Sequence, residues 1–213
     1  MRTTSLFAAM LVAGACAFAQ TPAPPGRPAS ASASLAHDTH DGLTISVDPY
    51  TEAGRSKQKL GKADPFPEGI LPVEVFMWNE TDQPLRINLS TVQLEVRPES
   101  GRQDVDSLTV AEVASIIVHP EGTPEPHTRR FPIGIPDATD KKVDKLVEVL
   151  QPFALDSDVV PPMGQIHGFL FFNVSHNVSL VKNASLYVPD VTMIPSKKAL
   201  IFFEVPLANK PKE

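Results

Sequence analysis

Two imidazoles and two carboxylates fall within five residues of one another in His37-Asp38-Thr39-His40-Asp41. Zinc and copper both accept nitrogen and oxygen donors of this kind, so His37, Asp38, His40 and Asp41 are the candidate metal ligands. The alternative is that these are solvated polar residues at the junction between a low-complexity stretch and the first strand. Of the remaining histidines, His119 and His127 flank a proline-rich loop that carries Arg129 and Arg130. Such a loop suits an anionic ligand, or is an ordinary exposed connection. The chain has no Gly-x-Ser-x-Gly elbow, His-Glu-x-x-His helix, Walker loop, dinucleotide glycine pattern or EF-hand loop. A catalytic set would therefore have to be assembled from residues distant in sequence, and no cofactor is expected.

The only thiol, Cys16, sits in a segment that reads as an export signal. Arg2 supplies its positive charge, Leu6 to Ala15 its apolar stretch, and Ala17-Phe18-Ala19 the small-x-small pattern of a cleavage site, which predicts a signal peptide over residues 1–19. Removal after Ala19 takes away Arg2 alone among the charged residues, moving the net charge from −6 to −7. It also removes cysteine chemistry altogether. The second reading makes Cys16 the lipidated residue of an outer-membrane-anchored lipoprotein, because Ala13-Gly14-Ala15 precedes it, although Ala13 stands where a leucine is usual. Residues 20–40 begin with a Pro/Ala/Ser-rich run and read as a disordered linker, and residues 41–213 as the folded domain.

With 213 residues, 22 prolines and a net charge of −6, the chain suits one ordinary domain with few long helices. The acidic balance argues against a nucleic-acid partner, and no segment reaches the length of a transmembrane helix. Periodicity points to strands. Leu43, Ile45 and Val47 alternate with polar residues, as do Leu85, Ile87 and Leu89, while Leu71, Val73, Val75 and Met77 form one face of a longer strand whose other face, Pro72, Glu74, Phe76 and Trp78, is mixed. The apolar phase shifts to even numbers at Val92, Leu94 and Val96, so a bulge, corner or turn must intervene. Residues 166–174 are apolar on both faces and read as a central strand, followed by strands over 184–191 and 199–205. Six or seven short strands suggest a sandwich.

Between the strand groups, roughly residues 98–162 carry helical periodicity and read as a two-helix insertion. Thr109 and Glu112 have capping-box spacing ahead of Val110, Val113, Ala114 and Ile117, which predicts a helix over 110–118. A second helix starts near Thr139, carries Val143, Leu146, Val147 and Leu150 on one face, and is stopped by Pro152. Trp78, Phe169, Phe171, Phe172, Phe202 and Phe203 are assigned to the core rather than to a ligand groove. Asn79, Asn88, Asn173, Asn177 and Asn183 stand in Asn-x-Ser/Thr sequons. These are glycan acceptors in a eukaryotic secreted protein, or turn residues in a bacterial one; the absence of disulfides favours the bacterial reading.

Two stretches carry a family resemblance. Val73-Glu74-Val75-Phe76-Met77-Trp78-Asn79-Glu80-Thr81-Asp82-Gln83-Pro84-Leu85 has the order strand, Asn, polar turn, Pro, strand. Val160-Pro161-Pro162-Met163-Gly164-Gln165-Ile166-His167-Gly168-Phe169-Leu170-Phe171-Phe172 has a Pro-Gly turn feeding a Gly-aromatic strand. Together they resemble the immunoglobulin-like β-sandwich domains of exported bacterial proteins. The resemblance implies a mainly β, immunoglobulin-like sandwich of about seven strands, with the helical insertion as a departure from it, and it brings no catalytic residues. The expectation is a non-catalytic periplasmic or extracellular module that binds an envelope or extracellular protein or glycan, or serves a structural role. The alternatives are periplasmic copper or zinc handling, lipid-anchored attachment, and activity housed in residues 98–162.

Overall fold

The computed structural model describes residues 35–97, 101–120 and 141–208. The expected signal peptide, Cys16, the greater part of the expected linker, His127, Arg129 and Arg130 lie outside the described residues. The fold is mainly β. Its strands are β1 (Ala36–His40), β2 (Leu43–Pro49), β3 (Ile70–Asn79), β4 (Leu85–Ile87), β5 (Gln93–Val96), β6 (Gln103–Leu108), β7 (Val159–Val160), β8 (Gln165–Asn173), β9 (Ala184–Val188), β10 (Val191–Met193) and β11 (Phe203–Pro206). Eight of them form one sheet in the order β1-β2-β3-β8-β6-β5-β9-β11, and β10-β4-β7 form a second. β6 turns the corner of the large sheet, pairing with β5 through residues 103–106 and with β8 through Ser107 and Leu108. The sheet curls until β1 and β11 lie side by side, close to a barrel.

Period-two alternation explains the core. Leu43, Ile45 and Val47 of β2 and Leu71, Val73, Val75 and Met77 of β3 meet Phe172, Leu94, Leu186 and Phe203 inside the curl, and all of these are buried. Each such side chain withdrawn from water contributes about 1.5–3 kcal/mol before entropy is counted. The three-stranded sheet closes one end with Leu85, Ile87, Val160 and Val191. The phase shift before Val92 is produced by one 3₁₀ turn over Leu89–Thr91, in which Thr91 donates to the Asn88 carbonyl through both its amide and its hydroxyl.

β8 is central, as its sequence predicts. Leu170 and Phe172 point into the main core, while Phe169 and Phe171 point outward into a second cluster under the helices. Gly168 admits a crossing chain: a Cβ there would meet the Leu155 nitrogen at 2.6 Å and the Ala154 carbonyl carbon at 2.7 Å. That close approach lets the Leu155 amide donate to the Phe169 carbonyl at 3.0 Å.

Among the described residues three helices cover the outer side: α1 (Ala53–Leu60), α2 (Val110–Val118) and α3 (Lys141–Leu150). α2 carries the predicted capping box. The Glu112 amide donates to the Thr109 hydroxyl at 3.2 Å, and the Thr109 amide donates to Glu112 Oε2 at 2.8 Å. α3 ends at Leu150, with Pro152 in the 3₁₀ turn that follows it. Thr139 lies outside the described residues.

Several expectations change. The linker does not run to residue 40, because Ala36–His40 is a strand. Its inward positions are Ala36, Asp38 and His40, so no apolar alternation marks it. The Asp41-Gly42 pair does, since both residues have positive φ (48° and 77°), as a two-residue hairpin turn requires. The segment 98–162 is not purely helical, because β6 and β7 lie within it. α1 was unforeseen because it has no apolar stripe: its buried residues are Ser56 and Leu60. Phe202 is exposed rather than in the core.

Candidate functional site

The alternation of β1 divides the four candidate metal ligands. His37 and Thr39 lie on the outer face of the sheet and Asp38 and His40 on the inner face, while Asp41 occupies the hairpin turn. The structure brings Asp38 and His40 together, with His40 Nδ1 at 3.5 Å from Asp38 Oδ1. His37 Nδ1 donates locally, to the Leu35 carbonyl at 3.0 Å. The four do not converge, and among the described residues no group of three or more His, Cys, Asp or Glu is placed to hold a metal ion.

Asp38 and His40 instead reach across to β11. The Glu204 amide donates to Asp38 Oδ2 at 3.2 Å, His40 Nε2 lies 3.2 Å from the Ile201 carbonyl, and the imidazole stacks on the Phe203 ring at 3.8 Å. No ladder pairing joins the two strands in the sheet order. The Glu204 amide faces the seam and the Leu207 amide faces β9, so Pro206 also falls on the seam side, where it has no N–H to offer. A carboxylate on the one free amide and a proline at the next position are the usual protections of an exposed sheet edge.

A second cluster lies under α1. The Glu74 carboxylate, 8% exposed, accepts from the Tyr50 hydroxyl at 2.8 Å and from Lys59 Nζ at 3.1 Å. Arg55 pairs with Asp48 and lies over the Tyr50 ring at 4.1 Å. Burial, followed by the hydrogen bond to Glu74, pushes the Tyr50 hydroxyl well above the ordinary tyrosine range. Arg55 is raised by its hydrogen bond to Asp48. These contacts satisfy the charges that a stripe-less helix brings onto the sheet, and they anchor α1 there.

A third cluster lies on β5, where the buried Glu95 carboxylate accepts from Arg97 Nε at 2.6 Å and pairs with Arg102 at 3.3 Å. A depression of about 230 Å³ beside Arg97, lined also by Lys182, Asn183 and Pro206, is small against the ~300–1,000 Å³ of typical small-molecule pockets.

The outer face of β1-β2-β3-β8 beyond α1 is different in kind. Register places Thr39, Thr44, Trp78 and Gln165 in one row and His37, Ser46, Phe76 and His167 in the next. Phe76 and Trp78 are half-buried, His37, Thr39, Gln165 and His167 are exposed, and Thr44 and Ser46 of β2 are buried between them. The His167 and Phe76 rings lie 5.8 Å apart and nearly parallel, at 3°. None of these eight side chains carries a fixed charge. Trp78 thus leaves the core to which it was assigned and joins a neutral face that sequence alone could not assemble.

The sequons find a structural reason. Asn79 is completely buried; its amide donates to the Gln83, Val160 and Pro161 carbonyls, and its Oδ1 accepts from the Thr81 amide and hydroxyl. Asn88, Asn173 and Asn177 likewise accept from Ser90, Ser175 and Ser179 two residues on. The Asn-x-Ser/Thr spacing is thus that of a local side-chain turn.

No family model, no curated protein and no solved structure matches this chain.

Proposed function

We propose that the protein is a non-catalytic exported module that binds a neutral, hydroxyl-rich component of the cell envelope or exterior, a glycan being the chemistry that fits. One observation carries the reading: on the outer face of β1, β3 and β8, two half-buried aromatic rings lie with two exposed imidazoles, a hydroxyl and an amide and no fixed charge, Thr44 and Ser46 of the intervening β2 being buried, in a chain that is 21% charged. Aromatic faces stack on the C–H faces of sugars, and the surrounding neutral groups exchange hydrogen bonds with hydroxyls. Export rests on residues 1–19, and attachment through Cys16 is the variant of the same proposal in which the module is tethered. Immunoglobulin-like kinship is proposed alongside, supported by the way β1-β2-β3-β8 and β5-β9-β11 lie on opposite sides of the corner made by β6.

Co-sedimentation of the purified mature chain with insoluble polysaccharides and cell-wall sacculi tests the binding reading. Trp78→Ala and Phe76→Ala should each weaken retention about tenfold, the loss expected of one stacking residue at a binding centre, with the melting temperature kept. Undiminished retention in both variants refutes the assigned surface. Saturable zinc or copper binding lost on replacing His37 and His40 would establish the metal-handling alternative instead.

A further inference from the structure

We infer that the depression beside Arg97 is a binding site for one compact oxyanion, a phosphate group carried either by the free ion or by a phosphodiester-linked polymer. It lies where β5, β9 and β11 run side by side, with Glu95, Ser185 and Pro206 in one row, on strands that the neutral face does not use. Arg97, Lys182, Asn183 and Ser185 line it, the rest of its wall is alanine and proline, and no carboxylate lines it.

The chain both supplies the donors and fixes them. Arg97 Nε donates to the buried Glu95 carboxylate at 2.6 Å and a terminal nitrogen donates to Glu204 at 3.0 Å, so two carboxylates hold the guanidinium in place. A guanidinium has five N–H groups, and three remain after those two bonds. The Arg97 amide donates to the Asn183 carbonyl at 2.9 Å and the Leu207 amide to the Ala184 carbonyl at 2.8 Å. These bonds tie the segment carrying Lys182 and Asn183 to the ends of β5 and β11. Among the described residues the side chains of Lys182, Asn183 and Ser185 form no hydrogen bond or ion pair. Donors from two elements thus border one small space with nothing of the protein's own to neutralise them.

The donor set selects the ligand. Arg97, Arg102 and Lys182 stand against Glu95, Asp104 and Glu204, so long-range attraction largely cancels and directed hydrogen bonds decide. The fork of one guanidinium suffices for a planar carboxylate, whereas a tetrahedral phosphate presents oxygens in several directions and uses a guanidinium, an ammonium, an amide and a hydroxyl together. At about 230 Å³ the space admits such a group but not a drug-sized molecule. Lys182 and Asn183 are exposed, so one side stays open and the affinity is in the millimolar range, exposed charges being screened.

Titration of the isotope-labelled mature chain with inorganic phosphate, exchanged for chloride at constant ionic strength and followed by amide NMR shifts, tests the site. Saturable shifts should centre on residues 182–185 and 207–208. Lys182→Gln should weaken the affinity about three- to tenfold, the scale of one exposed charge-assisted bond, and Ser185→Ala should weaken it less. Neither side chain has a partner whose loss would unfold the chain. Trp78→Ala, on the other face, should leave phosphate binding unchanged, so failure here and failure of the glycan reading are read separately. A glycerol phosphodiester in place of phosphate separates the sources: binding at least as tight assigns the polymer, and binding of phosphate alone assigns the free ion. Shifts that grow without saturating, or that persist undiminished in Lys182→Gln, overturn the inference.

Discussion

The centre and the seam of the same sheet are built on opposite principles. At the centre, β3 and β8 pair over nine residues, and from Gly168 to Phe172 both faces of β8 are buried. At the seam, β1 and β11 meet through a carboxylate, an imidazole and one ring. The difference teaches that closure of a curled sheet need not use the forces that fill it. An apolar edge strand would invite pairing with other chains, so polar groups facing inward at the edge trade stability for solubility.

The largest test of this contrast is at the centre. Phe172→Ala should cost about 3–5 kcal/mol in denaturant unfolding, because a fully buried ring leaves a cavity between packed strands. Asp38→Asn at the seam should cost under about 1 kcal/mol by the same measurement. Equal costs would break the comparison.

Next comes Asn79→Ala, which leaves the Thr81 amide without its acceptor and takes one of two donors from each of the Gln83 and Pro161 carbonyls. A loss of about 1–3 kcal/mol is expected from the buried amide left unpaired and the weakened turn. A surface value near zero would place Asn79 with the exposed sequons.

Tyr50→Phe should cost about 1.5–3 kcal/mol near neutral pH, as the removal of a hydrogen bond to a buried carboxylate. It also carries a pH signature. Burial and Glu74 hold the Tyr50 hydroxyl protonated above the range in which an unfolded tyrosine ionises, so unfolding releases a proton in alkali. The contribution of Tyr50 is fully present below about pH 10 and is lost as pH rises beyond it. The wild type should weaken there more steeply than Tyr50→Phe, as read from unfolding free energies across that range.

The smallest effect sharpens the picture at the helices. Thr109→Ala should cost about 1 kcal/mol, the value of a helix cap, and should leave hydrogen exchange at β1 untouched.

What the residues themselves determined is local or periodic. The strands around Leu43, Val73 and Phe171, the central place of β8, the turn before Val92, and the capped helix at Thr109 all follow from spacing, because alternation and capping act over a few neighbouring residues. β1 was legible only through Asp41-Gly42, and α1 was nearly silent, since its hold on the sheet is ionic and its partners Asp48 and Glu74 lie on other elements. Tertiary structure alone decided that Asp38 and His40 reach Glu204 and Ile201, more than 160 positions away. It also decided that Trp78, Phe76 and His167 share one neutral surface. Strand order and register set those meetings, and both are settled by long-range pairing that no short window of sequence contains.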